Sequence, residues 1–161
     1  MIGCDDFAHH FLEYLTAVAD VVAVSDVDPS KCASLQKKFD LQVPSHDDYR
    51  RMIDAGGLDA VAITAANFVH CAAVCAAAEA GLHVYCEKAM ALDTREAWQM
   101  ALAAQNSNVK LMVGHKRRLR PPWARMIELT NDALLGAPLA LSVTQYADMR
   151  PYQYGGTWWA R

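Results

Sequence analysis

Short apolar runs alternating with helical stretches constrain this chain more than any other feature in it. Val21-Val22-Ala23-Val24-Ser25-Asp26 is continuous and rich in β-branched residues, the pattern of a strand buried on both faces. Ala60 to Thr64, His83 to Cys86 and Val109 to Val113 have the same character. Between these runs the apolar residues change to helical spacing. Phe7, Phe11, Leu15 and Val18 mark one face of a helix expected over 6–19, and Cys32, Leu35 and Phe39 mark the next. Asp28-Pro29 opens that second helix with Pro in its first turn. Val43-Pro44 reads as short and extended, and His46 to Ala55 as a helix stopped by Gly56-Gly57. Further helices are expected from Asn67 to Ala80, closed by Gly81, and from Asp93 to Gln105. Asp93 with Glu96 three residues on has the form of a capping box. Strands and helices in this alternation make parallel βαβ units, and right-handed crossovers assemble them into an α/β, doubly wound parallel sheet.

Composition narrows the function classes. With 161 residues the chain supports one domain with a sizeable core but not two full ones. A hydrophobic content of 53% with 20% charged residues describes a folded globular protein, not a disordered one. The net charge of -3 supplies no pull toward nucleic acid or an anionic membrane, and no apolar run reaches the length of a bilayer span. Five cysteines without paired spacing suggest free thiols in a reducing compartment, and a cytoplasmic location is expected.

Three stretches carry chemistry. His83 to Cys86 runs straight into Glu87-Lys88, an acid and a base at the carboxyl end of a buried strand, where open α/β sheets bind their ligands. The plain alternative for the pair is a solvated turn. Gly3-Cys4-Asp5-Asp6-Phe7-Ala8 stands where a Gly-x-Gly-x-x-Gly/Ala phosphate turn would open the first helix. Gly3 and Ala8 fit that turn, whereas Asp5 puts a carboxylate in place of the second glycine. An acidic helix N-cap is the competing reading. Asp26 ends its strand 23 residues after Gly3, close to the ~20 expected of an acid that bonds the adenosine ribose. It would favour NAD over NADP, and its alternative role is to cap the turn before Pro29.

The segment Ala65-Ala66-Asn67-Phe68-Val69-His70, followed by Gly81-Leu82-His83-Val84-Tyr85-Cys86-Glu87-Lys88-Ala89, resembles the middle of the Gfo/Idh/MocA family of nicotinamide-dependent sugar and polyol dehydrogenases. Members carry Thr-Pro-Asn-x-x-His, an alanine-rich helix and Gly-x-His-Val-x-x-Glu-Lys-Pro. Here the Thr and both Pro positions of these motifs are Ala65, Ala66 and Ala89. The resemblance extends over nearly the whole length and implies a Rossmann-type domain over 1–117. Residues 118–161 would begin a second, α+β substrate and oligomerisation domain, with a helix from Pro122 to Leu135, a break at Gly136-Ala137-Pro138 and a strand from Leu139 to Ala147.

By the same resemblance Gly3, Ala8, Asp26, Asn67, His70 and Glu87 would serve the cofactor, NAD rather than NADP. Lys88 would reach the substrate hydroxyl and the nicotinamide, and Arg117, in a loop lining the cleft, would meet the substrate. In isolation Asn67 reads as a helix N-cap and His70 as a satisfied helix residue. The family's usual acid/base, a histidine of the second domain, would lie beyond Arg161.

Only Met1-Ile2 precede Gly3, so the first, central strand is expected to be mostly missing and the chain to be part of a longer reading frame. On that reading the isolated chain lacks activity and associates, while the full-length protein is a homo-oligomer acting on a sugar- or polyol-like molecule. A non-catalytic dinucleotide-binding or subunit-interaction protein is the alternative. Two other readings carry less weight. His70, Cys71, Cys75, His83 and Cys86 lie in a core-like pattern with no CxxC pair, so no metal is expected. The basic run His115-Lys116-Arg117-Arg118-Leu119-Arg120 suits a cleft wall better than a nucleic acid, given the acidic balance elsewhere.

Overall fold

A computed structural model describes residues 1–132 together with Gly136, Ala137, Ala140, Ser142 and Thr144. The expected strand from Leu139 to Ala147 and the end of the preceding helix therefore lie, for the most part, outside the described residues. The contacts divide the chain into two units, Met1–Gly114 and His115–Arg161.

The first unit is built on parallel strands β1 (Val24–Ser25), β2 (Ser45–His46), β3 (Ala60–Ile63), β4 (His83–Cys86) and β5 (Leu111–Val113). β1 pairs with β2, and β3, β4 and β5 pair in that order, all parallel. Met1-Ile2 joins the two groups: Ile2 bridges to Ser25 on one side and to Ile63 on the other. The order across the sheet is thus β2, β1, Met1-Ile2, β3, β4, β5. Met1-Ile2 therefore lies at the centre of the sheet.

Helices cover both faces. α1 (Asp6–Leu15) and α2 (Pro29–Phe39) enclose one core, in which Met1, Cys4, Ala8, Leu12, Val24, Cys32 and Leu35 are buried. α3 (Tyr49–Asp54), α4 (Asn67–Glu79) and α5 (Thr94–Asn106) enclose the other with Ile2, Met52, Val61, Ile63, Val74, Val84 and Met100. Strand alternation sends neighbours to opposite faces. Val61 and Ile63 therefore join the second core while Ala62 packs against the first. Burying a side chain such as Leu12 or Leu35 contributes about 2 kcal/mol each.

Local chemistry sets most boundaries. Asp28 accepts from the Ser30 N–H and Asp48 from the Arg50 N–H, so α2 and α3 begin one residue later. Asp93 accepts from the Glu96 N–H, and the Glu96 carboxylate reaches the Leu92 N–H, one residue before its usual capping-box target. Gly56 and Gly81 follow their helices with positive φ, where a side chain would be strained.

Three expectations change. α1 stops at Leu15 because the chain tightens, with Ala17 and Val18 bonding back three residues to Tyr14 and Leu15. Val18 is consequently 82% exposed instead of buried. The expected strand from Val21 to Asp26 pairs only at Val24 and Ser25, and Val22 is exposed. Among the described residues no strand pairs with its first half. The expected helix from His46 begins instead at Tyr49, since Ser45 and His46 pair with β1. The second unit opens with a 3-10 turn, Lys116–Leu119, followed by α6 (Pro121–Asn131).

Candidate functional site

The carboxyl ends of β1, Met1-Ile2 and β3 meet at Gly3. Its φ is +89°, and a Cβ there would lie 2.5 Å from the Ala65 nitrogen and 2.6 Å from its Cα. Only glycine fits this conformation and this approach. Thr64, buried at the end of β3, donates its hydroxyl to the Gly3 carbonyl at 2.8 Å and bonds Ile2 through its backbone N–H. Ala8 is fully buried one turn into α1, the small residue that close helix–strand packing requires.

Asp26 follows β1 and faces this turn. One carboxylate oxygen accepts from the Cys4 N–H at 2.8 Å and the other from the Asp28 N–H at 3.0 Å. It therefore caps the turn before Pro29, the alternative raised for it, and also ties the glycine turn to β1. Asp5 is the N-cap of α1, its carboxylate accepting from the Phe7 N–H at 3.2 Å. An acid thus sits at the positive end of the helix, where a phosphate would otherwise be favoured. Beneath the turn the Cys4 and Cys32 sulfurs lie 3.6 Å apart, and burial pushes both thiols up.

The second cluster lies at the ends of β3, β4 and β5. Glu87 is 5% exposed, yet both its oxygens are engaged. Oε1 accepts from the Tyr85 hydroxyl at 2.7 Å and Oε2 from the Lys88 N–H at 3.0 Å. Burial, then the hydrogen bond to Glu87, raises the Tyr85 phenol and keeps it a donor. The Tyr85 ring stacks on Phe11 of α1 with centroids 4.7 Å apart. Gly114 makes room for this pair, since a Cβ there would collide with the Tyr85 hydroxyl and lie 2.8 Å from Glu87 Oε1. On the other face burial, then the Glu87 charge, lifts the Cys86 thiol to about 12.

His70, fully buried on α4, has Nδ1 2.9 Å from the Ala89 carbonyl and Nε2 3.0 Å from the Ala65 carbonyl. Its ring braces the end of β3 against the segment after Lys88, the satisfied helix residue that its spacing allowed. Asn67 is the first residue of α4 and not its N-cap. Ala66 holds that position and supplies no side-chain bond. Lys88 is exposed, and the Lys88–Ala89 peptide is cis. Among the described residues its ammonium forms no ion pair. Arg117 belongs to the 3-10 turn of the second unit.

Of the residues singled out from sequence, Gly3, Ala8 and Asp26 come together at the glycine turn, and His70, Glu87 and Lys88 at the end of β4. Thr64, Tyr85 and Gly114 were missed. Each stands at or near a strand's carboxyl end, and that position was the available signal.

Residues 1–115 match the model of an oxidoreductase family with an NAD-binding Rossmann fold. An inositol 2-dehydrogenase/D-chiro-inositol 3-dehydrogenase of Lactiplantibacillus plantarum is 29% identical over 95% of the chain and 43% of its own length. Inositol 2-dehydrogenase 3 of Saccharopolyspora erythraea is 31% identical over 86% of the chain and 42% of its own length. Among solved structures, an oxidoreductase from Agrobacterium radiobacter in complex with NAD+, L-tartaric acid and magnesium superposes with a TM-score of 0.74. It is 26% identical, over 80% of this chain and 38% of that one. The chain thus spans less than half the length of these relatives. It belongs to the Gfo/Idh/MocA oxidoreductase family and carries that family's NAD-binding Rossmann fold.

Proposed function

We propose that this chain is the nucleotide-binding portion of a dehydrogenase that passes hydride between a sugar- or polyol-like secondary alcohol and NAD. The observation that carries the reading is Lys88: an exposed ammonium at the carboxyl end of β4, its backbone N–H fixed by the buried Glu87 carboxylate. An ammonium so held can orient a carbinol and stabilise the charge that develops on its oxygen as hydride leaves. The nicotinamide, when bound, accepts that hydride.

The cofactor's binding is assigned to residues of this chain. Gly3 lets the backbone approach the pyrophosphate, Ala8 brings α1 close, and Asp26 meets the ribose hydroxyls with the lone pairs its two backbone donors leave free. Asn67, His70 and Glu87 border the nicotinamide end. His70 and Glu87 act there by holding backbone, because their polar atoms already have partners. Arg117 is assigned to the substrate. An inositol-like polyol is the first substrate to try, since curated relatives act on inositol.

A second reading is favoured by Asp5, whose carboxylate occupies the α1 N-terminus, and by the alanines at 65, 66 and 89. On it, the protein binds a dinucleotide or a partner subunit without turnover. The test joins this chain at Arg161 to the remaining sequence of the Lactiplantibacillus relative and follows NADH formation from myo-inositol. Turnover that falls about a hundredfold in Lys88→Ala, the scale of losing one charge-stabilising group, supports the dehydrogenase. NAD binding without turnover supports the second reading, and turnover indifferent to Lys88→Ala removes that residue from the chemistry.

A further inference from the structure

Tyr85 lies within β4 and Glu87 directly after it, two residues apart, so strand alternation sends their side chains to the same face. Phe11 of α1 lies nearly flat against the Tyr85 ring, with centroids 4.7 Å apart and planes 20° from parallel. Cys86 pairs with Val113, which brings Gly114 beside Glu87. The missing side chain of Gly114 leaves the space that the Tyr85 hydroxyl and the Glu87 carboxylate occupy. Stacking on Phe11 would be served equally by Phe at position 85. Only the hydroxyl reaches Glu87.

Glu87 is buried, and among the described residues it has no ion-pair partner. Its hydrogen-bond donors are two: the Tyr85 hydroxyl, 2.7 Å from Oε1, and the Lys88 backbone N–H, 3.0 Å from Oε2. A buried charge without a counter-ion depends on its hydrogen bonds, and one left short of donors turns toward water. The hydroxyl remains a donor through the neutral range, because burial and then the bond to Glu87 raise the Tyr85 phenol.

We propose, resting on the dehydrogenase reading, that Tyr85 is a positioning residue for Lys88: its hydroxyl fixes the Glu87 carboxylate, which in turn fixes the Lys88 N–H and the direction in which the ammonium-bearing side chain leaves β4. Tyr85 acts only through Glu87. Without the hydroxyl Oε1 has no donor, the carboxylate rotates toward solvent, and Oε2 leaves the Lys88 N–H. The peptide that carries Lys88 then gains freedom. Misplacing a reacting group by ~1 Å can cost as much as a hundredfold in rate. Phe11 holds the Tyr85 ring, so α1, which opens at the glycine turn, is joined to Lys88 through Tyr85 and Glu87.

The experiment compares the wild-type chain with Tyr85→Phe and has two arms. In the first, amide hydrogen exchange of the 161-residue chain is read by NMR at Lys88 and, as internal controls, at Val84 and Cys86 of β4. Exchange at Lys88 is expected to rise about tenfold, the scale of one lost hydrogen bond, while the two controls change by less than about twofold. An unchanged Lys88 amide overturns the proposal, as does an equal rise at all three amides, which would mean that the hydroxyl only stabilises the fold. In the second arm the chain is joined at Arg161 to the remaining sequence of the Lactiplantibacillus relative, and NADH formation from myo-inositol is followed. There kcat is expected to fall about tenfold with KM for NAD within about twofold of wild type. A kcat that stays at the wild-type value while the Lys88 amide responds also overturns the proposal. A wild-type joined protein without turnover counts against the dehydrogenase reading itself, and the Lys88 amide then decides the positioning role alone.

Discussion

Replacing Tyr85 by Phe isolates one hydroxyl at the candidate site. The Phe ring keeps the stack on Phe11, so the lost group is the donor 2.7 Å from Glu87 Oε1. Glu87 is 5% exposed, and its carboxylate would keep only the Lys88 N–H. A hydrogen bond to a charged group contributes about 1.5–3 kcal/mol. Tyr85 is only half-buried, so entering water restores part of that bond, and a loss of about 1.5 kcal/mol is expected. Urea unfolding at neutral pH measures it, and Glu87→Gln with the double mutant closes the cycle. A coupling of about 1 kcal/mol is expected for groups in direct contact. Gly114→Ala adds a second arm, since its Cβ meets the Tyr85 hydroxyl first. That overpacking costs about 1–3 kcal/mol in the wild-type background and less beside Tyr85→Phe. A Tyr85→Phe change within about 0.5 kcal/mol, the scale of an ordinary surface substitution, combined with zero coupling, would refute the idea that the hydroxyl holds the carboxylate.

Stability should also depend on pH through Met1, whose pKa falls from 8.0 unfolded to about 6 folded. The unfolded chain binds more protons between these values, so this contribution is complete above pH 8 and lost as pH falls toward 6. It amounts to about 3 kcal/mol. Urea titrations of free and N-acetylated chains should diverge over that window, and parallel curves would refute it. Gly3→Ala should cost several kcal/mol or prevent folding, read by circular dichroism, because φ is +89° and the Cβ meets backbone. Asp5→Gly should tighten NAD binding about fivefold by calorimetry, since it removes a charge worth up to ~1 kcal/mol while costing only tenths in capping. Asp26→Ser should narrow a preference for NAD over NADP, and a wild-type preference for NADP would remove Asp26 from the ribose.

Local patterns determined much of this protein. His83 to Cys86 is a strand at the limits its residues imply, and Asp28 and Asp93 cap their helices. The reason is that capping and strand alternation depend on groups a few residues apart, which a linear reading contains. The glycine turn, the acid after β1 and the Glu87-Lys88 pair were legible for the same reason. What the residues on those elements touch was decided in three dimensions. The Tyr85 hydroxyl, the Gly114 backbone and the Glu87 carboxylate come together only because β4 and β5 pair in register. His70 reads as an isolated histidine until α4 packs its ring between Ala65 and Ala89. Val21 and Val22 have the residues of a buried strand, but pairing requires a neighbour, and beside them there is a cavity. Sequence determines which backbone groups and side chains can pair. Only the assembled sheet determines whether a partner is at hydrogen-bonding distance.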